Sequence, residues 1–533
     1  MYHRFIALGA CLLLFTTALF AAERPNIVLI LADDIGYGDL GCQGAKHAKT
    51  PHLDRLAREG CRFTDAHSPA STCTPTRRAL LTGVYSWRQR PGSGILPGDA
   101  PLGIRPGTVT LPSLLKRAGY TTGIVGKWHI GLGGPMNDDG TGEKPDWNGA
   151  IKPGPLELGF DSSFIMAATG DRVPTVYVEG HRVVGLDSSD PIAVNYKEKV
   201  GHEPTGKENP EQLKLRHTVG HDMTIVNGIG RIGWMTGGKA ARWRDEDMAD
   251  TFAKKAVEFI GRATAKKDAP FFLFCATHGI HVPRVPHERF KGVSGHGTRA
   301  DAIHELDDTV GQVLAALEKA GVLNDTLVLF TSDNGGVMDD GYADFAPGGH
   351  RMNGALRGTK GGLFEGGHRV PFLARWPERI KAGSESTALI AHLDLPATFA
   401  ALTGVPIPAD ACRDSVNVLP ALLGRSATGR EQFIAHVGGI QGPVAIRQGA
   451  WKYIQPGGGA GGYGTNAPPG ARPNPKGFLF NLADDLAEEK NLVETNPEKA
   501  AELQALLVKA GAPPPRTPQA RKAAEAPAKS KAP

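Results

Sequence analysis

Residues 26–34 read Asn26-Ile27-Val28-Leu29-Ile30-Leu31-Ala32-Asp33-Asp34. An unbroken apolar run ends there on two adjacent carboxylates. Asn26–Leu31 is short and apolar at both odd and even positions, the pattern of a parallel strand buried on both faces. Thr122–Val125, Phe271–Ala276 and Leu327–Phe330 repeat it. Helical patterns lie between these runs, at His52–Arg58, Leu111–Ala118, Asp245–Arg262 and Asp301–Ala320. In the last, Ile303, Leu306, Val310, Val313, Leu314 and Leu317 form one stripe, and Gly321 supplies the stop. Strands alternating with helices predict an α/β fold, a large, mostly parallel or mixed sheet sandwiched by helices. In such sheets ligands bind at the carboxyl ends of strands, where Asp33 and Asp34 stand.

The pattern changes late in the chain. Val444–Arg447 and Trp451–Ile454 flank Gln448-Gly449-Ala450 as in a hairpin, Gly457–Gly464 is a glycine-rich loop, and Asn491–Val508 reads as a helix stopped at Gly511. A smaller C-terminal α+β subdomain with an antiparallel sheet is expected. The division is then a leader over 1–22, a main catalytic domain over 23–430, the subdomain over 431–510 and a disordered basic Ala/Pro/Lys tail over 511–533. Between Met136 and about Trp243 few strong elements are visible, and long irregular insertions of this kind often shape specificity.

A chain of 533 residues suits two or three domains and buries a core without needing disulfides. Its 41% apolar and 22% charged residues exclude a mainly disordered or multi-span membrane protein. Arg4 in the leader and the basic surplus after Ala512 account for the whole formal charge of +5. The body is therefore neutral, which argues against a nucleic-acid partner. Met1–Arg4 is a cationic start, Phe5–Phe20 is apolar apart from Thr16 and Thr17, and Ala21-Ala22 precedes Glu23. This reads as a signal peptide of a secreted or periplasmic protein, with no transmembrane span in the mature chain. An uncleaved N-terminal anchor is one alternative, and Leu8-Gly9-Ala10-Cys11 offers lipoprotein anchoring as another. The six cysteines, Cys11, Cys42, Cys61, Cys73, Cys275 and Cys412, show no CxxC spacing and hence no zinc ribbon or thioredoxin-like motif. Without Cys11 and Cys73, at most two disulfides remain open to Cys42, Cys61, Cys275 and Cys412.

Two carboxylates side by side at the end of a buried strand repel each other, and desolvating them costs several kcal/mol, on the order of 2–7 for even a neutral polar group. A hard cation removes that problem. Thr331-Ser332-Asp333-Asn334-Gly335-Gly336 follows the strand Leu327–Phe330 and supplies a further carboxylate and an amide oxygen. Asp33, Asp34, Asp333 and Asn334 then form an all-oxygen metal site, suited to Ca²⁺ first and Mg²⁺ second.

Residues 71–83 read Ser71-Thr72-Cys73-Thr74-Pro75-Thr76-Arg77-Arg78-Ala79-Leu80-Leu81-Thr82-Gly83. Taken alone, Cys73 is a thiolate nucleophile near Arg77 or a buried structural cysteine. Cys-x-Pro-x-Arg followed by Ala-x-Leu-Thr-Gly resembles the signature of the type I, formylglycine-dependent, arylsulfatase-like sulfatases of the alkaline phosphatase superfamily. Further segments resemble that family in order from about Arg24 to Leu492: the Asp-Asp turn within Pro25–Gly38, Gly126-Lys127-Trp128-His129-Ile130-Gly131, His281-Val282-Pro283, Arg357–Pro371 and Leu479–Leu492. Departures are modest, such as Ile130 for Leu and Phe480-Asn481 for the commoner Tyr-Asp.

The resemblance implies an alkaline phosphatase-like fold and a sulfuric ester hydrolase. A maturation enzyme would convert Cys73 to formylglycine, whose hydrate has one hydroxyl to attack sulfur and a second to expel sulfate afterwards. The cation at Asp33, Asp34, Asp333 and Asn334 would acidify the attacking oxygen. Lys127 and Lys360 are candidates to clamp the sulfate oxygens, and Arg77, four residues after Cys73, to orient the nucleophile. His129 would contact the nucleophile or assist its deprotonation, and His281 would protonate the leaving alcohol, with His278 a rival for that role. The division between His129 and His281 comes from the resemblance. Glu365 and Arg369 read as a structural ion pair.

The substrate expected is a sulfated small molecule or carbohydrate, such as a terminal sugar of a glycosaminoglycan- or algal-type polysaccharide. Arg172, His217, His221, Arg231, His350 and Arg351 lie in irregular segments and could bind sugar hydroxyls or carboxylates. Two other functions remain open to the same residues, a phosphonate monoester or phosphodiester hydrolase and a non-enzymatic sulfated-glycan-binding protein.

Overall fold

The computed structural model describes residues 24–89, 94–215, 220–337, 349–438, 443–457, 461–462 and 474–515. The leader lies outside these residues, as does the tail beyond 515. Among the described residues, ten strands form one mixed sheet. Its spatial order is Ser384–Ser386, Cys61–Phe63, Phe372–Arg375, Thr326–Ser332, Asn26–Ala32, Phe271–Ala276, Thr121–Lys127, Ser162–Met166, Tyr177–Glu179 and Arg182–Val183. The five from Thr326–Ser332 to Ser162–Met166 run parallel, and antiparallel pairs flank them on both sides. The α/β expectation holds, and the four sequence runs are neighbours at the centre.

Alternation along each central strand feeds two cores. Ile27, Leu29, Leu31, Ile124, Phe272, Phe274, Leu327 and Leu329 point to one face, under the helices Leu111–Arg117 and Leu395–Thr403. Val28, Ile30, Val125, Phe271, Leu273, Cys275, Val328 and Phe330 point to the other, under Pro51–Glu59, Met248–Thr264 and Thr298–Lys319. Burying a full side chain of this kind stabilises by roughly 1.5–3 kcal/mol. Continuous burial on two faces is why these strands lack polar alternation.

A separate four-stranded antiparallel sheet lies near the C-terminus, in the order Gln432–His436, Val444–Gln448, Trp451–Ile454, Phe478–Asn481. The expected hairpin is its centre, turning at Gly449 with φ 56°. The last helix differs from expectation. It runs Pro497–Lys509, because Pro497 sits at its first turn and Asn491 is used otherwise. Asn491 Oδ1 accepts from Leu479 N at 2.9 Å and Val493 N at 3.1 Å, so this residue ties the strand edge instead of starting a helix. The helix expected from Asp245 opens with a 3-10 turn at Asp245–Asp247, and the α-helix begins at Met248. Between residues 136 and 243 the chain supplies the edge of the main sheet, including Ser162–Met166, and two short ladders.

The five described cysteines are unpaired. Cys61 and Cys275 belong to opposite cores. Burial pushes the thiols of Cys42 and Cys275 up to about 12 and that of Cys412 to about 11, which makes them poor nucleophiles.

Candidate functional site

The central strands continue to bond one another past their carboxyl ends. Ala32 pairs in register with Ser332. Asp333 N then donates to Ala32 O at 3.1 Å, Asp33 N to Gly279 O at 3.0 Å, and Ile280 N to Asp33 O at 2.7 Å. The turns carrying Asp33–Asp34, Gly279–His281 and Asp333–Asn334 are thereby stitched side by side. Ser332 Oγ accepts from Ile35 N and donates to Asn334 O, both at 3.0 Å, locking two of them together. Asp34 and His129 hold left-handed backbones, φ 62° and 56°, a strain commonly stored at functional sites. At Gly335 a Cβ would stand 1.8 Å from Gly366 O, so only glycine lets the Arg357–Gly367 segment close over the site.

Three cations meet the three buried carboxylates. Lys127 ends its strand with Nζ paired to Asp33 and 3.7 Å from Asp333 Oδ2. Lys360 Nζ lies 2.7 Å from Asp34 Oδ1. Arg77 Nε donates to Asp333 Oδ2 and its Nη1 to Lys127 O, each at 2.9 Å. Cys73 opens the helix Cys73–Thr82, which puts Arg77 one turn behind it on the same face. Gly361 N donates to Ser71 O at 2.7 Å, joining the Lys360 loop to the Cys73 turn. Burial would discharge the Lys360 ammonium, yet Asp34 first and Cys73 next raise it above its ordinary value.

The pairing leaves acceptors over. Asp33 Oδ1, Asp333 Oδ1 and Asn334 Oδ1 are buried with no hydrogen-bond partner. Asn334 Nδ2 is spent on Asp34 Oδ1 at 2.7 Å, which turns its oxygen to this gap. A buried acceptor without a partner costs roughly 1–3 kcal/mol, so three from adjacent turns argue for an occupant. Ligand atoms of Asp33, Asp34 and His281 also fall within 4.8 Å of one another. An oxygen-dominated set of this charge fits a hard divalent cation. Burial, and then the Asp33 charge, raise the Asp333 carboxyl. Burial would raise Asp34 as well, but Lys360 and His281 hold it well below the usual carboxylate range.

The histidines separate by their partners. His281 Nε2 lies 3.8 Å from Asp34 Oδ2, and its Nδ1 is 2.8 Å from Val282 O, which fixes the Nδ1–H tautomer. His278 Nε2 accepts from Gly170 N at 2.9 Å, so this ring supports the Gly170 turn. His129 Nε2 donates to Leu96 O at 2.9 Å, leaving Nδ1 buried with a free lone pair. Burial, then Lys127 and Arg172, keep His129 neutral, well below the ordinary imidazole value.

Of the six substrate candidates, two stand together. Arg172 Nη1 is 3.0 Å from Asp171 Oδ1, and His221 Nε2 is 3.4 Å from Asp171 Oδ2. Gly170 N, beside Asp171, donates to His278 Nε2 at 2.9 Å, and His281 N donates to His278 O at 2.9 Å, which ties this trio to the turn that carries His281. Arg231 is fully buried, held by Asp245 at 2.9 and 2.7 Å, and therefore braces the wall from inside. His350 is bonded to Asp39 at 2.7 Å, and Arg299 bonds the same carboxylate at 2.6 Å. Arg231 and His350 are thus each engaged by a buried carboxylate, of Asp245 and of Asp39. Arg351 is exposed beside His350. His217 lies outside the described residues.

A second buried cluster was only partly expected. Glu365 and Arg369 are indeed paired, at 3.2 Å, but Lys452, Glu488, His67, His368, Asp65 and Arg447 join them. Ligand atoms of His67, Glu365 and His368 come within 4.8 Å of one another. Lys452 Nζ already fills their midst, 2.8 Å from Glu365 Oε1 and 3.2 Å from His368 Nε2, so the group has no vacancy for a cation.

Residues 25–405 match the family model described as Sulfatase. The chain is 47% identical over 490 residues to N-acetylgalactosamine-6-O-sulfatase of Bacteroides thetaiotaomicron, covering 91% of this chain and 93% of that one. It is 34% identical over 525 residues to arylsulfatase A of Bos taurus, covering 94% and 90%. A solved structure bearing on the metabolism of multiple glycosaminoglycans by Bacteroides thetaiotaomicron superposes with a TM-score of 0.86 at 46% identity, over 92% of this chain and 99% of that one.

Proposed function

The chain belongs to the sulfatase family and is a sulfuric ester hydrolase, and from that premise we propose a secreted, calcium-assisted, formylglycine-dependent enzyme that removes 6-O-sulfate from N-acetylgalactosamine of glycosaminoglycan type. The observation that carries the chemistry is the meeting of Cys73, Arg77, Lys127 and Lys360 around the unpartnered oxygens of Asp33, Asp333 and Asn334. The substrate rests on the 47% identity to the Bacteroides enzyme along nearly the whole chain.

Asp33, Asp34, Asp333 and Asn334 would hold Ca²⁺, which supplies positive charge to sulfate oxygens and acidifies the nucleophile. Residue 73, matured by a separate enzyme, supplies an aldehyde hydrate as nucleophile. The remaining work falls to side chains. Arg77, fixed at both ends of its guanidinium by Asp333 and the Lys127 carbonyl, orients residue 73. Lys127 and Lys360 are the sulfate clamp, each held within the site by a carboxylate that a divalent cation would take over. The free His129 Nδ1 accepts a proton from the nucleophile. His281 takes a proton on Nε2 and gives it to the departing sugar oxygen. Arg172 and His221, set by Asp171, bind the sugar ring.

We extend the proposal to the chain's organisation, with a cleaved leader over 1–22, a catalytic domain over 23–430, a subdomain over 431–510 and a basic tail over 511–533. No helix among the described residues is long and apolar enough to cross a membrane.

The test is turnover of N-acetylgalactosamine 6-sulfate against the 4-sulfate, galactose 6-sulfate and a nitrophenyl phosphate diester, using protein whose residue-73 peptide has been weighed by mass spectrometry. Release of sulfate from the 6-sulfate of the amino sugar is expected to be fastest. Faster diester turnover would overturn the substrate class, and full activity with an unmodified Cys73 thiol would overturn the nucleophile.

A further inference from the structure

The Lys360 loop is fastened from the C-terminal region, and both of its stems end on Glu488, in the segment that follows the last strand, Phe478–Asn481. Glu488 Oε2 accepts from Glu365 N at 2.5 Å, at the exit of the loop. The Glu488 carbonyl accepts from Arg357 Nη1 at 2.6 Å, at its entry. Arg357 also lies over the Phe364 ring, 4.1 Å from its centroid, and Gly366 N donates to Arg357 O at 2.7 Å, which closes the loop on itself. Glu488 is in turn held by Lys452, whose Nζ is 2.8 Å from Glu488 Oε1 and 2.8 Å from Glu365 Oε1. Lys452 is 1% exposed and Glu488 not at all. At the other end of the loop, Lys360 rests on Asp34 and Gly361 on Ser71.

We infer that Glu488 and Lys452 are positioning residues for Lys360, a clasp made by one residue of the C-terminal sheet and one of the segment that follows it, which sets where the Lys360 ammonium stands over the substrate sulfate. The inference rests on the proposed role of Lys360 as sulfate clamp. Its physical basis is the geometry. Seven residues lie between Arg357 and Glu365, the tip has to reach a buried carboxylate, and glycines at 358, 361 and 362 leave the tip little stiffness of its own. Anchoring both stems on one fully buried residue fixes the tip without adding anything to the reacting centre. A displacement near 1 Å at such a group costs about 10²-fold in rate.

The test is a double-mutant cycle with Glu488→Ala and Lys360→Ala, read in kcat/KM and in inhibition by inorganic sulfate. Lys360→Ala alone examines the clamp; wild-type kinetics there would remove the premise. With the premise standing, Glu488→Ala is expected to lower kcat/KM about 10–100-fold, mostly through KM, and to weaken sulfate inhibition in parallel. In the Lys360→Ala background it should cost less than about threefold, since the lysine it positions is gone. Equal losses in both backgrounds, or unchanged sulfate inhibition, would overturn the clasp and leave Glu488 as ordinary packing. Should Glu488→Ala fail to fold, Lys452→Met and Arg357→Met, each cutting one arm of the clasp, are read in the same cycle with the same two outcomes. Lys452→Arg should restore most of the loss.

Discussion

Two buried clusters in this molecule have the same charge inventory and opposite characters. At the strand ends, Asp33, Asp34 and Asp333 face Lys127, Lys360 and Arg77 with His129 and His281 nearby. Under the C-terminal sheet, Asp65, Glu365 and Glu488 face Lys452, Arg369 and Arg447 with His67 and His368 between them. Ligand spacing alone would make a metal centre of either. The difference lies in what is left over. The second cluster spends its charges on itself: its one buried oxygen without a hydrogen bond, Glu488 Oε1, has Lys452 Nζ 2.8 Å away as an ion-pair partner. The first leaves three carbonyl or carboxylate oxygens, one guanidinium nitrogen and one imidazole nitrogen buried without partners. Polar atoms kept unsatisfied at such cost mark the place where a substrate or ion completes the structure.

The largest effect should follow from residue 73. Cys73→Ala is expected to lower kcat by at least about 10³-fold while changing unfolding free energy by less than about 1 kcal/mol, because the site is strained before it is altered. Measured together by sulfate release and chemical denaturation, the two numbers place the first cluster on the functional side of the comparison. A stability loss comparable to a core mutation would move it to the structural side.

Removing divalent cations comes next. Chelation should lower activity about 10²-fold or more, several kcal/mol of transition-state stabilisation, and lower Tm as well, since an ion bound only by the folded state stabilises it. Asp333→Asn should be less sensitive to both. A fully active, rigorously metal-free protein would mean that the leftover oxygens serve something other than an ion.

How far the sequence carried this contrast depends on chain distance. Asp33-Asp34 and Asp333-Asn334 could be found because each follows its own apolar strand within a residue or two, and strand ends collect ligands. The long parallel strands were visible for the same reason, their burial on two faces. Cys61–Phe63 and Ser162–Met166 were not, since three residues at an edge and a Ser-Ser start carry little pattern. Glu365–Arg369 was visible as a pair four residues apart. Lys452 and Glu488, 87 and 123 residues from Glu365, have no local signature. Arg231 and His350 looked available because Asp245 and Asp39 cannot be seen to claim them until the chain folds.

The second cluster should break differently. Lys452→Met leaves Glu365 and Glu488 facing each other without their shared cation, and losing one partner of a buried pair costs about 3–5 kcal/mol. Stability is expected to fall by that amount, while kcat/KM falls by less than in the Cys73 variant. A loss under about 1 kcal/mol would show that the cluster is rearranged or hydrated, and the contrast between the two sites would narrow.

The smallest and sharpest distinction lies in pH. Burial, with Glu365 close by, pushes the Glu488 carboxyl up to about 7, although Lys452 pulls the other way. An acid whose folded pKa lies above its unfolded value binds its proton more tightly in the folded state. Its contribution to stability is therefore complete below the unfolded value and is lost as pH rises from the ordinary glutamate range through about 7. Glu488→Gln has no proton to lose there. Relative to this variant, the wild type should become less stable between pH 5 and pH 8 by about 1–2 kcal/mol, measured by denaturant unfolding at both values. The active-site groups are common to both proteins and cancel in the difference. Parallel profiles would mean that Glu488 is ionised throughout, fully compensated by Lys452. The second cluster would then be a closed ion triad, and the contrast with the open cluster at the strand ends would be stronger still.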